Sequence, residues 1–195
     1  MSLPTNPQFQ SPLNRSSLDK FLMILDLPYA LKRKAEKDSS ISIKPLQISV
    51  HGAVVPNITV SETDIKYHGQ NLYATSYTRP SYPPITVNFL VDGAYNNYYL
   101  LWKWLDTMND ANSSTYNGTK NLTTDDNIII GDQSEYQTTI TVLGLDEYNN
   151  PVIEFIYKKA FITTLGSINY SYREGASLVE CTATFHFSQL YVNKK

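Results

Sequence analysis

The residues from Ala94 to Asp110, AYNNYYLLWKWLDTMND, form the densest aromatic stretch of the chain and read as one helix. Stepping about 100° per residue from Tyr98 places Leu101, Leu105 and Met108 beside it, with Trp102 on the same flank. Leu100 and Trp104 carry the apolar surface to the far side, and Lys103, Asp106 and Thr107 share a narrow polar strip. A surface helix needs an apolar stripe of roughly 100°, and this one is apolar over about twice that arc. A membrane-surface helix would show a broad Lys/Arg face, which a single lysine does not make. The pattern predicts burial on two sides, one against the chain's own sheet, the other against a subunit or the polar segment that follows. Tyr98, Tyr99, Leu101, Trp102, Trp104 and Leu105 are the candidate core and assembly residues.

Around this helix the sequence reads as strands. LDKFLMILDLP is a short apolar run ended by Pro28, with the length of a buried first strand. YALKRKAEKDSS is a charged, solvated segment, helical at most in part. ISIKPLQISVHGAVVPNITV alternates and is rich in β-branched residues, so it is expected as strand, with Pro45 and Pro56 kept to edges or ends. ETDIKYHGQNLYATSYTRP predicts a hairpin turning at His68–Asn71, and SYPP an extended entry into the strand ITVNFLVDG. Further strands are expected in YQTTITVLGLDE and VIEFIYKKAFITTLG, joined by a turn at YNNP. ASLVECTATFHFSQLYV is expected as one long final strand. The Pro-rich residues 1–15 form an arm, and residues 16–195 a single domain interrupted by a polar Asn/Thr-rich insertion at about 109–134. The fold class is therefore α+β, mainly β, with one main helix packed on a sheet or barrel.

Composition excludes several functions. A net charge of −2 does not suit sequence-independent nucleic-acid binding, which needs phosphate-neutralising Lys and Arg. One cysteine, Cys181, excludes an intrachain disulfide and is expected as a small buried hydrophobe. No secretory signal or membrane span is apparent, so a soluble, cytoplasm-like setting is expected. The sequons at Asn57, Asn112, Asn117, Asn121 and Asn169 are discounted for the same reason. His51, His68 and His186 lie in unrelated segments without metal-like spacing, and no phosphate loop or nucleophile elbow occurs. No catalytic site, cofactor or metal is expected. The abundant Tyr and Asn, with two Trp, leave a carbohydrate-binding β-sandwich as the rival from a different class.

The order of segments resembles the tail tube proteins of contractile-tailed, T-even-like phages, which share their fold with type VI secretion tube proteins. LDKFLMILDLP is similar to the family's opening strand, and ITVNF with the following Asp92 to its W/I-T-V-x-F strand. AYNNYYLLWKWLDTMND occupies the place of the family helix, with Leu101-Trp102 and Trp104 where an aromatic–Trp pair stands. The segment FIYKKAFITTLGSINYSYREGASLVECTATFHFSQLYV resembles the ending Φ-x-G/A-x-Φ-P-x-x-Φ-G and its tyrosine-rich final strand. The arm, the charged segment and the insertion depart from compact members.

That resemblance implies two sheets in a barrel-like sandwich, six subunits joined into a ring with a continuous inner barrel, and rings stacked into a conduit for phage DNA. Tail sheath and baseplate proteins would be the other partners. The subunit would be assembled in the host cytoplasm and end in the virion tail. Ile85–Val91 and Gln137–Leu143 are the candidates for the barrel wall, and Tyr67–Pro84 for contact with the next ring. A baseplate tube-initiator or tail-terminator ring of the same fold is the alternative within the resemblance.

Overall fold

The computed structural model describes residues 16–35, 44–78, 81–108, 135–172 and 177–195. The expected N-terminal arm and the 109–134 insertion lie outside them. The chain runs β1 (Phe21–Leu25), α1 (Tyr29–Ala35), α2 (Lys44–Ser49), β2 (Val50–Ala53), β3 (Glu62–Tyr67), β4 (Gln70–Thr75), β5 (Ile85–Leu90), α3 (Asn96–Met108), β6 (Thr138–Leu145), β7 (Pro151–Leu165), β8 (Glu180–His186) and β9 (Gln189–Lys194). Seven strands form one hydrogen-bonded path, β1-β6-β7-β8-β5-β2, with β9 also on β7, while β3 and β4 form a separate hairpin. The fold is mostly β, as the sequence predicts.

β7 turns this path into two layers. Its first half pairs with β6 and β9, and Phe161–Leu165 pairs with β8. At the join Lys159 has φ 55°, and the β6 register slips between Thr138 and Ile140. A left-handed residue inside a strand is a bulge, and bulges bend strands so that they pass from one sheet to another. The first layer is therefore β1, β6, the first half of β7, and β9. The second is the end of β7 with β8, β5 and β2.

The inward faces enclose one core. Met23, Leu25, Ile140, Val142 and Tyr157 come from the first layer; Ile85, Val87, Phe89, Ile162, Cys181, Ala183 and Phe185 come from the second. Leu31 of α1, Leu46 of α2, and Leu100, Leu101 and Trp104 of α3 complete it. Alternation explains the strand contributions, since residues two apart share a face: Ile85, Val87 and Phe89 are buried while Thr86, Asn88 and Leu90 are not. Cys181 is buried in β8, as expected from its type, and burial pushes its thiol pKa up.

The local reading needs four corrections. KPLQIS does not run as strand: Lys44–Ser49 is helical, because Pro45 falls in the first turn, where its missing N–H has no helical partner to lose. α1 is not merely solvated, since Ala30 and Leu31 are buried while Lys32 and Arg33 stay exposed, the pattern of a short amphipathic helix. β1 is half buried rather than wholly buried, with Leu22 and Ile24 facing outward. The long final strand breaks at Phe187–Ser188 into β8 and β9, opposite the bend of their common partner. Ser188 N–H donates to Lys158 O there at 3.1 Å.

Candidate assembly surfaces

The helix α3 is set in place by a buried amide. Asn97 is fully buried, and its Nδ2 donates to Leu90 O at 2.7 Å and to Ser49 Oγ at 3.0 Å. Its Oδ1 accepts from Asp92 N–H, and its own N–H donates to Asp92 Oδ1, both at 3.3 Å. One side chain thus ties the end of β5, the end of α2 and the first turn of α3. A buried amide left unpaired would be costly, so these bonds fix the helix start as well as satisfy it.

From that anchor the buried face of α3 is Asn97, Leu100, Leu101, Trp104 and Thr107. These positions follow the i, i+3, i+4, i+7 spacing of one helix face. Trp104 is 1% exposed, packs against Phe185 at 5.8 Å, and donates Nε1–H to Tyr136 O at 3.0 Å. Thr107 is not part of an outer polar strip, because its hydroxyl donates to Lys103 O at 2.7 Å and can then be buried. Trp102 points outward at 37% exposure, with Tyr99 stacked at 5.9 Å and the Lys103 ammonium 5.5 Å from its ring. Of the six candidate residues, Leu101 and Trp104 are buried in the subunit; Tyr98, Tyr99 and Leu105 are half-buried; Trp102 is exposed. The structure therefore separates the two tryptophans.

The outward faces of the two layers differ in chemistry. Directly paired residues of antiparallel strands share a face. On the second layer Thr86 pairs with Thr184, Asn88 with Thr182, and Thr164 with Thr184, giving an uncharged threonine-and-asparagine centre. Glu180 and His186 stand at its ends. Gly166 runs close beside this strand: a Cβ there would collide with the Thr182 hydroxyl, and Gly166 N–H donates to Thr182 O at 2.7 Å. On the first layer the row Ile24–Thr141–Ile156–Tyr191 crosses all four strands beside Leu22–Leu143. Ile85–Val91 and Gln137–Leu143, expected as one barrel wall, thus lie in different layers.

The β3–β4 hairpin is a third surface. It turns at His68 (φ 49°) and Gly69 (φ 80°), and paired positive φ values are the geometry of a type I′ turn, whose twist matches antiparallel strands. All twelve strand residues are exposed. The faces nevertheless differ: Thr63, Ile65, Tyr67, Gln70, Leu72 and Ala74 share an uncharged side, while Glu62, Asp64 and Lys66 share the other. His68 stacks on Tyr67 at 4.3 Å. Among the described residues no group of three His, Cys, Asp or Glu side chains is placed to hold a metal, and no helix is long and apolar enough to cross a membrane.

Sequence comparison matches residues 18–193 to the phage tail tube protein family. Among curated proteins none matches this chain. The fold is similar to a chain from an extracellular contractile injection system, the PVC sheath-tube complex in the extended state. That likeness has a TM-score of 0.60 at 10% identity and covers 98% of this chain and 99% of that one. It is equally similar to a chain of the anti-feeding prophage tube-terminating cap, with a TM-score of 0.61 at 11% identity and 95% of each chain covered. A weaker likeness, TM-score 0.43 at 6% identity, extends to Hcp1 from Salmonella typhimurium, over 90% of this chain and 87% of that one. With the family match spanning nearly the whole described chain, this protein belongs to the phage tail tube protein family.

Proposed function

We propose that the protein is a structural, non-catalytic subunit of the inner tube of a contractile particle. Six copies form a ring, rings stack, and the resulting channel conducts DNA, with sheath and baseplate proteins as neighbours. The family match over 18–193 carries this reading. Supporting it, β2 pairs only with β5 among the described strands, and no described strand continues β6 alongside Phe161–Leu165. Each end of the second layer thus offers an unpaired edge, and joining such edges around a ring removes them. That layer is the better channel wall. The Thr86, Asn88, Thr182 and Thr184 side chains at its centre are uncharged and offer phosphates no cation, so DNA slides past without sticking. The exposed hairpin, extending the Tyr67–Pro84 segment back to Glu62, makes the contact between rings.

A second reading within the same architecture is a ring that ends the tube. It is favoured by the terminating-cap chain, as similar in fold as the chain from the sheath-tube complex. Negative-stain microscopy of the purified protein separates these readings: six-fold stacked tubes are expected, whereas single rings that never stack indicate the terminator. A monomer that binds glycans and forms no ring overturns both.

A further inference from the structure

We propose that two one-residue bulges, at His51 and at Thr163, guard the ring-forming edges of the second layer and restrain free subunits from joining them. The inference rests on the tube reading, in which those edges meet, and names what holds the meeting back. Within the layer the central ladder is regular: β5 and β8 pair through six consecutive residues, from Ile85 with Phe185 to Leu90 with Glu180. Both outer ladders are interrupted. On β2 the register passes from Val50 with Phe89 to Gly52 with Asn88, so His51 has no residue opposite it. On the end of β7 it passes from Ile162 with Phe185 to Thr164 with Thr184, so Thr163 is the extra residue.

Neither extra residue serves the subunit's own core. Both are exposed, while Val50 and Ala53 of β2, and Ile162 and Leu165 of β7, pack in or against the core. With His51 taken out, Val50, Gly52 and Ala53 would alternate inward, outward, inward along a regular ladder. With Thr163 taken out, Ile162, Thr164 and Leu165 would do the same. Each bulge is nevertheless held in place. A Cβ on Gly52 would come within 3.0 Å of Asn88 Nδ2, so the missing side chain lets the β2 bulge lie against β5. Thr163 Oγ1 donates to Thr184 O at 3.2 Å and fastens the other bulge to β8. An open edge is a row of N–H and C=O groups ready to pair with another strand, and proteins blunt such edges with bulges and short strands. A bulge breaks the spacing of that row and twists the strand more sharply. β2, with four residues, is both short and bulged. The irregularity thus stands where it hinders joining and leaves the subunit's fold alone.

The test is deletion of His51 and, separately, of Thr163 from the full chain. Folding is followed by circular dichroism, and association by sedimentation across a concentration series. Each variant is expected to fold, and to associate at a concentration about tenfold or more below the one the unaltered protein needs. An unchanged concentration, with rings still formed by the unaltered protein, overturns the guard and leaves the tube reading intact. A raised concentration also overturns it, and assigns the bulges to the joint between subunits. If one variant does not fold, the other decides, because the bulges lie on opposite edges. Loss of folding in both shows that the subunit itself needs the extra residues, and overturns the inference. If neither the unaltered protein nor either variant associates at any concentration, the tube reading fails and the guard fails with it.

Discussion

Trp102 and Trp104 stand two residues apart and face opposite worlds. Trp104→Ala removes a fully buried ring and the bond to Tyr136 O, so it is expected to cost about 3–5 kcal/mol in chemical denaturation. Trp102→Ala is expected to change folding stability by under about 1 kcal/mol, as exposed positions do, and to weaken assembly instead. Equal losses for both would overturn this division. The sequence shows that α3 is apolar over too wide an arc, but not which tryptophan faces inward. That depends on the Asn97 anchor, which carries no hydrophobic signal. Tyr157 gives a second residue-scale prediction. It is fully buried, its hydroxyl has no hydrogen-bond partner among the described residues, and burial pushes its pKa up to about 12 from 10.0. The folded state thus holds the proton more tightly than the unfolded one. Its contribution to stability is complete below pH 10 and lost as pH rises from 10 towards 12. Tyr157→Phe should fold at least as stably at pH 7 and show a shallower alkaline loss in denaturation series; an unchanged slope counts against the assignment.

Among the elements, β7 decides the architecture. Its 15 residues read as one continuous strand, and as backbone they are one. The bend at Lys159 has no glycine to announce it, so the passage between layers is invisible in PVIEFIYKKAFITTL. A left-handed conformation costs an ordinary L-residue roughly 1–2 kcal/mol, and a β-branched one more. Lys159→Gly is therefore expected to leave stability within about 1 kcal/mol, the relief offset by added freedom in the unfolded chain. Lys159→Val should destabilise by about 1–2 kcal/mol. Thermal melts of the pair check this, and equal melting temperatures would argue against a strained bend. Ile85–Leu90 was legible from its period of two, because its burial alternates strictly, and the hairpin from its His-Gly turn. α2 was not, because KPLQIS is too short for a helical period to stand out among β-branched neighbours.

At the scale of the whole molecule, the two layers present unlike faces to their surroundings, and a channel should reveal which one it uses. Thr86→Lys with Thr182→Lys places two cations per subunit on the second layer's outward face. If that face lines the channel, tubes of this variant should retain DNA strongly at low salt and release it steeply as salt rises, whereas unaltered tubes retain none. Filter retention of DNA across a salt series is the measurement, and salt-independent behaviour identical to the unaltered tubes would place the channel elsewhere. By itself the sequence determined the mainly-β class, the single long helix, the hairpin and the kinship to tube proteins, because local period, turn chemistry and segment order are properties of the chain alone. Only the tertiary structure decided that β5 and β6 lie in different layers, that Trp104 faces inward and Trp102 outward, and that one outer face is threonine-lined and the other apolar. Those outcomes depend on strand order and on the bend at Lys159, and both are set by contacts between residues far apart in sequence, which no local pattern records.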